Sequence, residues 1–237
     1  MPQLIKGNVP LTVQDGTTMQ TYVAYPSGGN QLPAIIVFQE AFGVNAHIKD
    51  VTDRIAAEGF YAIAPELFHR TADKGFEGSY TDFETVRPHV QALTKQGLID
   101  DITTTHKFMT RQNEVDKERT GSIGFCLGGR VSFLAACVLP LKGATCFYGG
   151  DLAGTAGDSI HNIPCPLLLC WGGKDKHITK DIIDKNTQAL DNAGKDYVNV
   201  IFSQADHAFF CDARASYHPA SAKESWALVK AFWNINI

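Results

Sequence analysis

Residues Thr120–Arg130 read T-G-S-I-G-F-C-L-G-G-R. A short apolar run, Thr120–Phe125, ends at a cysteine set between glycines, and a mostly small, apolar stretch, Gly129–Leu139, follows it. The spacing Gly124-x-Cys126-x-Gly128 is that of a sharp strand-to-helix turn that holds a nucleophile in a strained backbone conformation, where side chains at the flanking positions would clash. The helix beginning there directs its positive N-terminal end at the sulfur. That favours thiolate over thiol and stabilises an anion nearby. A turn of this kind belongs between a buried strand and a buried helix, so the rest of the chain should supply a covered sheet.

It does. Ala34–Gln39 (A-I-I-V-F-Q), Phe60–Ala64, Ala144–Tyr148, Leu167–Trp171 and Val198–Phe202 are further short apolar runs, as strands covered on both faces require. Helical spacing lies between them: Ile48, Val51 and Ile55 with Gly59 as a stop, then Ile99, Ile102 and Met109, then Ile182, Ile183 and Leu190, and finally Trp226, Val229 and Trp233. Near the start, L-T-V-Q-D and Q-T-Y-V-A-Y flank Gly16 and read as a hairpin. The expectation is an α/β fold, a mostly parallel sheet with antiparallel N-terminal strands and helices on both faces. The segment 71–96 is rich in Gly, Thr and Asp at first and then weakly helical, and it is placed to cover a pocket.

A chain of 237 residues with 44% hydrophobic and 19% charged residues suits a single domain over residues 1–237. With 21 Lys and Arg against 25 Asp and Glu, the net charge of −4 argues against nucleic acid as a partner. No run approaches the ~20 apolar residues of a membrane helix, and M-P-Q-L-I-K-G-N-V-P is no secretory signal. A cytoplasmic location follows as the expectation. The six cysteines form no C-x-x-C pair and no Cys/His cluster, so neither a metal nor another cofactor is expected. Cys137, Cys146, Cys165 and Cys170 read as core filler.

In such a sheet, chemistry gathers at the carboxyl ends of the strands. After Leu167–Trp171 comes Gly172-Gly173-Lys174-Asp175, and after Val198–Phe202 comes Ser203-Gln204-Ala205-Asp206-His207. A nucleophilic cysteine needs a base, and the base an orienting acid. Cys126, Asp175 and His207 stand in the chain order nucleophile, acid, base that hydrolases of this architecture use. Asp206 adjoins His207 too closely to orient it, and His177 follows Asp175 too closely to serve as the base. His47, His69, His89, His106 and His161 read as solvent-facing. After Ala34–Gln39, Glu40-Ala41-Phe42-Gly43 sits where an oxyanion loop is expected, the Ala41 N–H pairing with that of Leu127. Glu40 at this buried edge is costly unless paired.

Q-E-A-F-G-V-N (39–45), A-P-E-L-F (64–68), G-F-C-L-G-G (124–129), F-Y-G-G (147–150), W-G-G-K-D (171–175) and D-H-A-F (206–209) together resemble the dienelactone hydrolase family. The resemblance implies an α/β-hydrolase fold and a hydrolase that opens esters or lactones through an acyl-enzyme, with Cys126 as nucleophile, His207 as base and Asp175 as its partner. It also implies that Glu40 interacts with the resting thiol and helps deprotonate it, and that Ala41 and Leu127 supply the oxyanion N–H groups. Phe42 and Tyr148 are candidate substrate contacts. The family binds a substrate carboxylate with two arginines. One lies four residues after the histidine, where this chain has Cys211, with Arg214 the nearest arginine downstream; for the other, only Arg87 is available. A small-molecule ester or lactone is therefore the expected partner. Two alternatives stand beside the hydrolase: a non-catalytic binding protein of the same fold, and a redox-active thiol protein in which Cys211 resolves Cys126.

Overall fold

The computed structural model describes residues 3–237. Its strands are β1 (Leu4–Thr12), β2 (Thr18–Pro26), β3 (Leu32–Phe38), β4 (Tyr61–Pro65), β5 (Val115–Phe125), β6 (Gly143–Phe147), β7 (Leu167–Gly172) and β8 (Tyr197–Phe202), in the sheet order β1-β2-β4-β3-β5-β6-β7-β8. The expected antiparallel start is present: β1 pairs with β2 from Leu4 opposite Pro26 to Thr12 opposite Thr18, and β2 runs antiparallel to β4. The chain forms two compact units, one ending at Gly121 and the next beginning at Ser122, so the boundary falls inside β5.

In the first unit, β3 runs parallel to β4. Ala34 through Phe38 are all buried, so both faces of β3 are covered. Helix α1 (Ala46–Ala57) starts at Asn45, whose side chain accepts from the Ile48 N–H and satisfies one of the open donors of the first turn. Its apolar stripe, Ile48, Val51 and Ile55, is fully buried. Helix α2 (Phe83–Ala92) forms within the weakly helical part of segment 71–96 despite Pro88 inside it, and α3 (Lys95–Met109) follows from an N-cap at Thr94. Segment 71–96 folds over the loop that follows β3. The Gly78 N–H donates to the Phe42 carbonyl at 3.0 Å, the Asn45 amide donates to the Tyr80 hydroxyl at 2.9 Å, and Val86 packs with Ala41 and Phe42.

Three histidines here depart from the solvent-facing expectation: His106 is half-buried, with its Nε2 shielded from solvent, and the other two go further. His47 is buried. The side chain of His69 is only 3% exposed, with Nε2 3.0 Å from Asp101 Oδ1, while Arg70 grips both oxygens of the same buried carboxylate. Asp101 lies 32 residues downstream on α3, so no local pattern could announce the pair.

In the second unit, β6, β7 and β8 are parallel. Helix α4 (Leu127–Val138) is buried along most of its length and packs on β6. The remaining helices are α5 (Leu152–Ala156), a 3-10 turn (Gly157–Asn162), α6 (Lys180–Asn192) and α7 (Pro219–Asn236). Among the described residues, no helix is long and apolar enough to cross a membrane.

Candidate active site

Three strand ends of the second unit converge. Cys126 caps α4 at φ +55°, ψ −114°, a left-handed backbone conformation that a β-carbon disfavours. The turn closes because its neighbours lack side chains. A Cβ on Gly124 would strike the Gly128 carbonyl, and one on Gly129 would lie 2.6 Å from the Phe147 carbonyl. The Cys126 N–H donates to that same Phe147 carbonyl at 3.0 Å, which ties the elbow to β6. Leu127, the first residue of α4, carries an N–H with no acceptor inside the helix.

Asp175 follows β7 and His207 follows β8. Two glycines let those loops touch: a Cβ on Gly172 would sit 2.6 Å from the Asp206 carbonyl, and one on Gly173 would sit 2.7 Å from Ser203 Cα. The Gly173 N–H donates to the Phe202 carbonyl and the Lys174 N–H to that of Ala205, both at 2.8 Å. Beyond His207 the chain is anchored by Phe209 and Phe210. Phe209 meets Tyr148 and Phe202, and Phe210 meets Phe125 and Phe147, with ring centroids 5.1–5.4 Å apart. Each such buried ring contributes about 1.5–3 kcal/mol, so the loop carrying His207 is held by core packing.

His207 Nε2 lies 3.3 Å from Cys126 Sγ, and Nδ1 lies 2.7 Å from Asp175 Oδ2. The other carboxylate oxygen of Asp175 accepts from the backbone N–H groups of His177 and Ile178 at 2.8 and 2.9 Å. Asp206 accepts from the backbone N–H of His207 and leaves its imidazole to Asp175. Burial pulls the Asp175 pKa up, but the hydrogen bond and charge of His207, with the two backbone donors, outweigh it and hold the carboxyl below its usual value. Burial works against the charge on His207, yet the hydrogen bonds and charges of Asp175 and Cys126 prevail and push it up to about 10. The imidazole is therefore disposed to be cationic beside the sulfur near neutral pH.

Glu40, Ala41 and Phe42 follow β3 in the first unit and are buried; Phe42 packs edge-on against Tyr80 at 4.8 Å. Arg87 is exposed on α2 and pairs with Glu84 at 2.5 Å. In the second unit, Tyr148 follows β6 at φ +36°, fully buried, its ring 5.2 Å from that of His207. Cys211 is fully buried, with its N–H on the Ala208 carbonyl, and Arg214 is half-buried, its N–H on the Cys211 carbonyl. Sequence reasoning set His177 aside, yet its ring stands edge-to-face with that of His207 at 5.8 Å. The turn G-G-K-D-K-H was the available signal, since a side chain two positions past Asp175 can lie beside His207.

The model of the dienelactone hydrolase family matches residues 19–235. A protein of Synechocystis sp. named carboxymethylenebutenolidase is 35% identical over 225 residues, 91% of each chain. Another of that name, from Methylorubrum extorquens, is 34% identical over 232 residues, covering 94% of this chain and 78% of the relative. The solved structure named dienelactone hydrolase from Klebsiella pneumoniae subsp. pneumoniae superposes with a TM-score of 0.88 at 34% identity, covering 98% of this chain and 99% of the other.

Proposed function

This chain belongs to the dienelactone hydrolase family, and we propose that it hydrolyses small carboxylic esters or lactones through an acyl intermediate on Cys126. The observation that carries the proposal is the continuous chain from sulfur to imidazole to carboxylate, 3.3 and 2.7 Å long. In this reading the Cys126 thiolate attacks the carbonyl carbon. A C–S bond forms and the carbonyl π pair moves onto oxygen. The Leu127 N–H takes part of that charge, with the α4 N-terminus behind it. Ala41 as second donor and Glu40 as the group that helps deprotonate the thiol are what the family resemblance implies. Collapse of the oxyanion expels the alkoxide, which takes the proton from His207 Nε2. Neutral His207 then removes a proton from water. The resulting hydroxide adds to the thioester carbon, and the thiolate leaves, restoring the imidazolium pair. The sum is ester plus water to acid plus alcohol.

The family match across residues 19–235 supports reading both units as one hydrolase domain. A reducing compartment such as the cytoplasm is proposed with it, because the reaction needs the Cys126 thiol unoxidised. The test is a mass spectrum of the protein quenched during turnover of p-nitrophenyl acetate. One acetyl group is expected on the peptide holding Cys126, and neither acetylation nor turnover in Cys126→Ala. Wild-type turnover by Cys126→Ala would refute the reading.

A further inference from the structure

We propose that His177 is a positioning residue for the reaction: its ring braces the imidazole of His207 and shields the hydrogen bond between His207 and Asp175 from water. The inference rests on the hydrolase reading above and extends it to a residue outside the triad.

His177 is coupled to the triad at two points. Its backbone N–H donates to Asp175 Oδ1 at 2.8 Å, so the residue is pinned to the acid. Its side chain stands perpendicular to the base, at an interplanar angle of 81° and a centroid distance of 5.8 Å, an attractive edge-to-face arrangement. Among the described residues, no hydrogen bond or ion pair engages either ring nitrogen of His177, although the residue is exposed. An exposed imidazole is ordinarily oriented by polar partners or by water. Here the contact that orients it is the His207 ring.

His207 needs such a brace. Its imidazole hinges on the soft χ2 torsion, and the hydrogen bond from Nδ1 to Asp175 is one of two polar contacts that fix its tilt, the other being Cys126. Tyr148 meets the ring from the buried side chains of the core, at 5.2 Å. His177 adds a contact from the exposed turn. Loss of it frees the imidazole to rock and admits water to Nδ1, which lowers the fraction of time Nε2 is aligned with sulfur and leaving group.

The experiment compares His177→Ala, His177→Phe and His177→Gln with the wild type. One readout is kcat and KM for p-nitrophenyl acetate. The other is the NMR exchange rate of the downfield His207 Nδ1 proton with water. His177→Ala is expected to lower kcat about fivefold with KM within about twofold, and to accelerate proton exchange. His177→Phe, which restores a ring, should recover most of both; His177→Gln, which restores only polarity, should not. Wild-type kcat and exchange in His177→Ala, or rescue by Gln equal to that by Phe, would overturn the proposal. The exchange arm does not need turnover. A protein without esterase activity would defeat the hydrolase reading while exchange still reported whether His177 shields the pair.

Discussion

Asparagine at position 175 separates the charge of the acid from its shape. In Asp175→Asn, the amide oxygen can keep the two bonds from the His177 and Ile178 N–H groups, 2.8 and 2.9 Å in the parent. The turn should therefore hold. The amide NH2 then faces His207 Nδ1 where a carboxylate oxygen stood at 2.7 Å. A donor there demands a lone pair on Nδ1, which places the single ring proton on Nε2 and disfavours the imidazolium. The rise of His207 from 6.5 to about 10 corresponds to about 5 kcal/mol of preference for the charged ring. Burial opposes the charged ring, so the hydrogen bonds and charges of Asp175 and Cys126 together exceed that net rise, and removing the carboxylate lowers the imidazolium population steeply. The loss of the tautomer needed to take a proton from water adds to this. We expect kcat to fall between about 10² and 10⁴-fold, and the alkaline limb of the kcat/KM profile to move toward neutrality. A stability signature follows with its sign. A raised histidine pKa contributes stability that is fully present below 6.5 and lost as pH rises through about 10. The urea-unfolding free energy of the wild type should decline across that window, and the variant should decline less. An Asp175→Asn protein that keeps kcat within about threefold, or whose alkaline limb stays put, would refute the assignment of Asp175 as the orienting acid.

Gly172→Ala should lower kcat at least about tenfold while the far-ultraviolet circular dichroism is retained, because the added methyl would lie 2.6 Å from the Asp206 carbonyl and push the His207 loop away from Asp175; wild-type kcat would show that the loop yields without moving the base. Asp101→Ala should destabilise the protein by about 3 kcal/mol, seen as a lower urea midpoint at unchanged slope, because it leaves buried His69 unpaired and strips Arg70 of its bidentate partner; a midpoint within error of the parent would mean that the cluster is energetically idle.

The legible parts of the molecule were those with short-range causes. The six residues Gly124–Gly129 encode an elbow, since a Cβ on Gly124 would strike the Gly128 carbonyl of the same turn. The strand ends gave Asp175 and His207 because parallel strands deliver their following residues to one edge. Where burial came from distant partners, local reading stopped. The first half of β5, Val115–Arg119, is mostly polar and partly exposed, so hydrophobic patterning begins the strand only at Thr120. Helix α5 and the 3-10 turn are too short for a period to register. Helix α2 carries Pro88 in its interior, a residue that argues against a helix unless tertiary packing, here of Val86, supports it. His69 owes its burial to Asp101, and the edge-to-face contact of His177 with His207 joins residues of two different loops.

The six thiols have a practical consequence. Cys137, Cys146, Cys165, Cys170 and Cys211 are buried, and burial raises the pKa of Cys146 and Cys170 far above the usual thiol range and that of Cys165 to about 11. Cys126 alone among the six is partly accessible. The wild-type chain is thus expected to react with a mild electrophile as a single-cysteine protein. A fluorophore or spin label can be placed at the proposed nucleophile without first removing the other five, and its signal would report on the space that the proposal assigns to a substrate.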